Sequence, residues 1–289
     1  WSSDVCSSDL VLNTCKTLEN EGFNVTYLNV DNNGKINIEE LERAIRDDTI
    51  LISIMFANNE IGTIEPIEEI GKIAKKHNII FHTDCVQAIG NIKINVEKMN
   101  IDLLSMSAHK FYGPKGVGAL YVKENIKFNK LQDGGHQEKG KRAGTENVAG
   151  IVGLGEAIEI ANMELEKYNK KLTFLREYCI KQIQNNFSKV KINGSKVNRL
   201  PGNINVSFPN IHGEELLLKL DEYGICVSSG SACSSGSDKP SHVLQAIGVP
   251  LDLIEGTIRI TLGEENTKQD IDFLIKCLTN IMPKISKNY

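Results

Sequence analysis

Two residues of this sequence have neighbours that suit them for covalent and acid–base chemistry. Lys110 stands in AHKFYGPKGVGAL, at the end of a predicted strand and ahead of a glycine-rich turn, and Asp84 stands in HTDCVQAIG, at the end of the preceding strand. A lysine amine can hold pyridoxal phosphate as a Schiff base, and the ring stays an electron sink only if a carboxylate pairs with its protonated pyridine nitrogen. Taken singly, Lys110 reads as a solvated surface lysine and Asp84 as a turn or cap aspartate. GPKGVG is not a nucleotide loop, because the G-x-x-x-x-G-K-[ST] spacing fails.

Cys233 is the third candidate. It lies in SSGSACSSGS, after which Pro240 starts the helix SHVLQAIG. One reading is a Ser/Gly linker with an incidental cysteine. The other is a mobile loop that swings a thiol nucleophile over a pocket and away again.

From residue 11 helix and strand alternate to form the frame for these residues. VLNTCKTLENEG reads as a helix ending at Gly22 and FNVTYLNV as a strand, and Asn37 with Glu40 gives a capping signal before Leu41 and Ala44. ILISIMFA reads as a buried strand. Pro66 opens a helix with Ile67, Ile70, Ile73 and Ala74 on one side, ending near Asn78. Three more strands follow in IIFHTD, IDLLSMS and GVGALYV. This order predicts an α/β fold with a mostly parallel sheet, in which ligands sit at the carboxyl ends of the strands; Asn58, Asn59, Asp84, His109 and Lys110 all fall there. Beyond about residue 160 a long charged helix, ANMELEKYNKKLTFLREYCIKQIQNNF, leads into the strands NINVSFP, ICVSSGS and TIRITLG. The expected division is a large domain over 1–165 and a smaller α+β domain over 166–289 that carries the cysteine loop.

Composition limits the partners. The chain has 289 residues and a formal charge of -4 with acidic and basic residues interleaved, which argues against nucleic acid and anionic membrane. Seven cysteines, an odd number without a C-x-x-C pair, argue against a disulfide framework and a structural zinc site, and for reduced thiols in a cytoplasm. Cys85 and Cys226 read as small buried residues beside strands.

ANNEIG (57–62), HTDCVQAIG (82–90), SMSAHKFYGPKGVGALYV (105–122), KRAGTENV (141–148), SSGSACSSGS (228–237) and IRITLG (258–263) together resemble the cysteine desulfurases of the NifS and IscS type, in the class V aminotransferase family. The resemblance implies the type I pyridoxal-phosphate transferase fold, related to aspartate aminotransferase, and a reaction that converts L-cysteine to L-alanine for iron–sulfur cluster assembly. It implies that Lys110 holds the cofactor and shuttles the substrate Cα proton, while Asp84 pairs with the pyridine nitrogen. Gln87 and Asn59 would bond near the ring oxygen, Asn59 also approaching the substrate carboxylate. Ser107 and His109 would bind the phosphate, joined by Thr145 from a second subunit of a homodimer. Arg259 would grip the substrate carboxylate through its planar fork. Cys233 would take the sulfur as a persulfide and pass it to a scaffold protein of the NifU or IscU kind. Within the same fold a lyase for selenocysteine or an aminotransferase is the alternative; outside it, a chain that only binds partners.

The front of the chain departs from that pattern. WSSDVCSSDL repeats an S-S-D unit, and the family's ring-stacking histidine falls at Ser8, while the upstream phosphate-binding turn has no counterpart. The expectation is a non-native leader on a truncated amino terminus.

Overall fold

A computed structural model describes residues 2–4, 7–130, 132–229 and 240–286. The strands β1 (Ser2–Asp4), β2 (Thr26–Leu28), β3 (Leu51–Met55), β4 (Ile80–Asp84), β5 (Leu103–Ser107) and β6 (Gly118–Val122) form one sheet in the order β2-β1-β3-β4-β5-β6. All neighbours are parallel except β5 and β6, which run antiparallel. The apolar side chains of β3 and β4 make a core with helix α3 (Ile67–Lys76), which presents Ile67, Ile70, Ile73 and Ala74 as its spacing predicts. Helix α2 (Ile38–Ala44) starts where Asn37 accepts the Glu39 and Glu40 amides and orients Leu41 inward.

A second sheet is antiparallel: β7 (Lys191–Ile192), β8 (Asn203–Ser207) and β9 (Thr257–Thr261). Its core is closed by α5 (Gly213–Asp221) and α8 (Lys268–Ile285). A third apolar cluster joins Ile61, from the turn after β3, to Val243, Leu244 and Ile247 of the segment around α6 (His242–Ala246), together with Ile254 of α7 (Leu251–Glu255).

Four expectations need correction. The long helix, α4, runs from Val148 to Asn186, starting well before Ala161, because Asn147 caps it by accepting the Gly150 amide. Residue 165 lies within this helix, between the stretch that packs on the core of the first sheet and the stretch that packs on the core of the second. FNVTYLNV contributes only Thr26–Leu28 to the sheet; Phe23 is exposed. ICVSSGS forms no strand among its described residues, only a bridge from Ser228 to Arg259, since Ile225 and Val227 alone supply apolar side chains to the core. Cys226 lies between those two inward residues and, by the two-residue alternation, faces solvent instead of being buried.

The front of the chain joins the first sheet as well. Residues Ser2–Asp4 occupy a central place in the sheet, and Ser8 precedes α1 (Asp9–Asn20) as its cap residue. A central strand satisfies its backbone groups whatever its side chains are, but Ser3 is fully buried and its hydroxyl has no hydrogen-bond partner among the described residues.

Candidate active site

Asp84 is the last residue of β4, beside Met55 of β3 and Ser105 of β5. It is 5% exposed. Its Oδ1 accepts the Val86 amide at 2.9 Å and its Oδ2 the Ser8 hydroxyl at 3.5 Å. Burial pushes its pKa above the usual carboxylate range, and those two hydrogen bonds pull only partly the other way. No lysine, arginine or histidine among the described residues forms an ion pair with it. A buried carboxylate at a strand end without a cation suits a protonated ring nitrogen, so the residues present fit pyridoxal phosphate at this point. Ser8, by contrast, offers no ring face for stacking.

Lys110 follows β5 in a short 3-10 helix, Ala108–Phe111. Buried Ala108 and Phe111 hold this turn while His109 and Lys110 point outward and are exposed. Tyr112 ends it with a φ of 64°, and the Gly113 amide closes back on the Ala108 carbonyl at 2.9 Å. Ser107 is the partly buried final residue of β5. Lys110 also borders a cleft of about 150 Å³ with Gly90, Tyr112, Tyr168 and Glu264. Gln87 lies in the turn after Asp84, where its carbonyl accepts from the Asn91 side chain. Thr145 is exposed in the loop leading to α4, away from any pairing within the sheet. Cys233 lies outside the described residues.

Asn59 and Arg259, 200 positions apart, are brought together: Arg259 Nη1 donates to the Asn59 carbonyl at 2.9 Å. The turn carrying Asn59 is stiff. Asn58 Oδ1 accepts the amides of Glu60 and Ile61 at 2.8 and 2.9 Å, and Gly62 adopts a φ of 74°. Across from it, Asn203 and Asn205 of β8 both donate to the Glu60 carbonyl.

Sequence reading assigned no role to two groups in this neighbourhood. His82, two residues before Asp84, is bonded on both ring nitrogens, to Ser53 at 2.8 Å and Ser105 at 2.9 Å, and burial lowers its pKa to about 4. Glu60 is 2% exposed and its Oε2 accepts the Ser241 hydroxyl at 2.7 Å. An acidic residue directly after Asn58-Asn59 was its only signal in the sequence.

A mostly parallel sheet with a lysine turn and a buried carboxylate at its strand ends, next to a small antiparallel unit, is the fold of a pyridoxal-phosphate-dependent transferase. Residues 10–274 match the family described as Aminotransferase class-V. The cysteine desulfurase IscS of Dictyoglomus turgidum is 55% identical over 275 residues, covering 95% of this chain and 70% of that protein. The chain belongs to the class-V aminotransferases, in their cysteine desulfurase branch. The solved structure of a NifS-like protein superposes with a TM-score of 0.91 at 41% identity, over 98% of this chain and 74% of the other. A solved structure of SspA in complex with cysteine gives 0.78, also at 41% identity, over 90% and 72%.

Proposed function

We propose that this chain is a pyridoxal-phosphate-dependent cysteine desulfurase that converts L-cysteine to L-alanine and retains the sulfur as a persulfide on Cys233. The observation that carries the reading is the buried Asp84 carboxylate, which has no ion-pair partner among the described residues, at a strand end next to the strand that leads into the Lys110 turn. When bound, the cofactor supplies an electron sink for the substrate Cα and Cβ centres. Lys110 holds it and carries the Cα proton on Nζ; Asp84 pairs with its ring nitrogen, and Gln87 and Asn59 bond at its ring oxygen. Ser107 and His109 bind its phosphate, with Thr145 of a second copy completing that site in a homodimer. Arg259 binds the substrate carboxylate by charge-assisted hydrogen bonds. The Cys233 thiolate attacks the substrate sulfur: the Sγ–S bond forms as the Cβ–S bond breaks, Cβ takes up a proton, and alanine leaves.

The division of labour in this reading assigns the cofactor to a large domain, residues 1–165, and the nucleophile to a smaller one, residues 166–289. Cys15, Cys85, Cys179, Cys226 and Cys277 are all free thiols, which supports a reducing cytoplasm. There a persulfide is passed to an iron–sulfur scaffold protein of the NifU or IscU kind.

The test is reconstitution with pyridoxal phosphate, borohydride reduction and peptide mapping, with alanine measured from cysteine. A label on Lys110 and alanine release are expected, both lost in Lys110→Ala. A label on another lysine sinks the assignment. Ser8 favours a second reading, a chain that keeps the fold but only binds partners; absence of any cofactor absorbance band would select it.

A further inference from the structure

Tyr112 closes the turn that carries Lys110, in a conformation that a side chain of its size rarely adopts. Its φ is 64°, in the left-handed region, where a Cβ crowds the following carbonyl oxygen. Such a backbone persists only where its surroundings hold it. Burial is not what holds it, because Tyr112 is 70% exposed and adds little to either core. The constraint sits at its hydroxyl. Tyr112 Oη lies 2.8 Å from Tyr168 Oη and accepts the Glu264 amide at 3.1 Å. Tyr168 belongs to the stretch of α4 that packs on the core of the second sheet, and its ring meets that of Tyr112 edge-on, with centroids 6.4 Å apart. Burial, then the hydrogen bond with Tyr112, pushes the Tyr168 phenol up, so it stays neutral.

Glu264, just beyond β9, is constrained as well. Its carbonyl accepts from Lys171 of α4, one turn after Tyr168. Around it the Gly263 amide donates to Asn266 Oδ1 at 2.7 Å and the Asn266 amide to the Gly263 carbonyl at 3.1 Å. A Cβ on Gly263 would lie 3.0 Å from Tyr112 Oη, so the hydroxyl is seated closely against this loop. On the other side of the lysine turn, Phe111 is buried against Gly90, where a Cβ would lie 3.0 Å from the Phe111 Cβ. The turn is thus gripped from two sides.

We infer that Tyr112 is a positioning residue for Lys110: its hydroxyl, held by Tyr168 and by the Glu264 amide, fixes the lysine turn to α4 and to the end of the strand that carries Arg259. This rests on the reading in which Lys110 holds the cofactor. Tyr112 acts through the backbone of the turn, and it sets how the amine is presented for capture of the cofactor and for proton transfer at the substrate Cα.

The experiment uses the full chain and compares Tyr112→Phe, which keeps the ring and loses both bonds, with Tyr168→Phe, which keeps the Glu264 bond. Without cofactor, the amides of Gly113 and Glu264 should exchange with deuterated solvent faster in Tyr112→Phe than in wild type. On mixing with pyridoxal phosphate and quenching with borohydride at timed intervals, label on Lys110 should accumulate roughly threefold to tenfold more slowly in Tyr112→Phe, the range set by losing hydrogen bonds of this kind. In the loaded chain, exchange of the cysteine Cα hydrogen should slow by the same factor. The KM for cysteine should not change, since Arg259 keeps its bond to Asn59. Tyr168→Phe should fall between wild type and Tyr112→Phe in both rates. Faster amide exchange with wild-type capture and wild-type Cα exchange overturns the inference and leaves a structural brace. A rise in KM that parallels the loss of rate overturns it too. If Tyr112→Phe does not fold, Tyr168→Phe decides, and wild-type rates in that variant overturn the inference. Wild-type label on a lysine other than Lys110 sinks the cofactor assignment; label on Lys110 with unchanged rates in both variants sinks this inference alone.

Discussion

Arg259, in the middle of β9, donates from Nη1 to the carbonyl oxygen of Asn59 at 2.9 Å, so the residue assigned to the substrate carboxylate is oriented by the residue assigned to the cofactor's edge. A guanidinium held in this way presents its remaining N–H groups in a fixed plane.

Arg259→Ala should therefore weaken cysteine binding as well as the contact between the two sheets. Loss of charge-assisted hydrogen bonds worth about 1.5–3 kcal/mol predicts a roughly tenfold to hundredfold fall in kcat/KM. Arg259→Lys keeps the charge without the fork and should recover only part of it. Steady-state alanine formation against cysteine concentration is the measurement; wild-type KM in both variants would refute the role.

Across the cysteines, only Cys233→Ser should reduce alanine and bound sulfane sulfur to background, since a hydroxyl is a poor nucleophile towards sulfur at neutral pH. Cys226→Ser, at an exposed position, should be neutral for both turnover and stability. Cys85 and Cys179 are fully buried, and burial pushes both thiols up, Cys179 to about 12. Serine there should cost about 1 kcal/mol of stability and leave turnover of the folded protein intact. Undiminished alanine from Cys233→Ser would mean that sulfur leaves by another route.

His82 predicts a pH dependence of stability. Its folded pKa of about 4 lies below the ordinary 6.5, so the folded state disfavours the proton that the unfolded state accepts. The stabilisation is complete above about pH 6.5 and is lost as pH falls to about 4, with an upper bound of ~3 kcal/mol. Asp84 and Glu60, raised by burial, contribute with the opposite sign, their stabilisation being greatest at low pH and lost as pH rises through their folded pKa values. Comparing urea midpoints of wild type and His82→Asn between pH 7 and 4 isolates the histidine, because both carboxylates are common to the two proteins. Parallel curves would contradict the assignment.

Gly62→Ala should destabilise the chain by about 1–3 kcal/mol. A Cβ there would lie 2.5 Å from Asn203 Oδ1, at a φ of 74°. Asn203 cannot yield easily, as it donates to the Glu60 carbonyl and accepts from Arg199. Thermal unfolding monitored by circular dichroism would show it; an unchanged midpoint would mean that the turn relaxes freely.

What the sequence made legible was local. The apolar stripe of α3, the cap at Asn37 and the runs that became β3 to β6 are written in short-range periodicity, and the strand-end places of Asp84 and Lys110 came with them. The start of α4 was missed because Val148 to Ile160 alternates glycine, alanine and branched residues without a clear helical stripe, while Asn147 sets the boundary. The Glu60–Ser241 bond joins positions 181 apart, and no local pattern encodes a pairing that only the assembled fold creates. Cys226 misled for a simpler reason: small and apolar in character, it sits at an alternation step whose inward places were taken by Ile225 and Val227.

Helix α4 has a mechanical consequence. Its 39 residues, at about 1.5 Å each, make a rod of roughly 58 Å whose first half packs Leu154, Ala157 and Ile158 on one core and whose second half packs Leu172, Leu175, Cys179 and Ile183 into the other. A torque applied to either unit is carried to the other without an intervening joint, so hinge motion between them requires the rod to bend or to lose a turn. A helix-breaking proline at exposed Met163, midway along it, would uncouple the two cores, and one melting transition would become two.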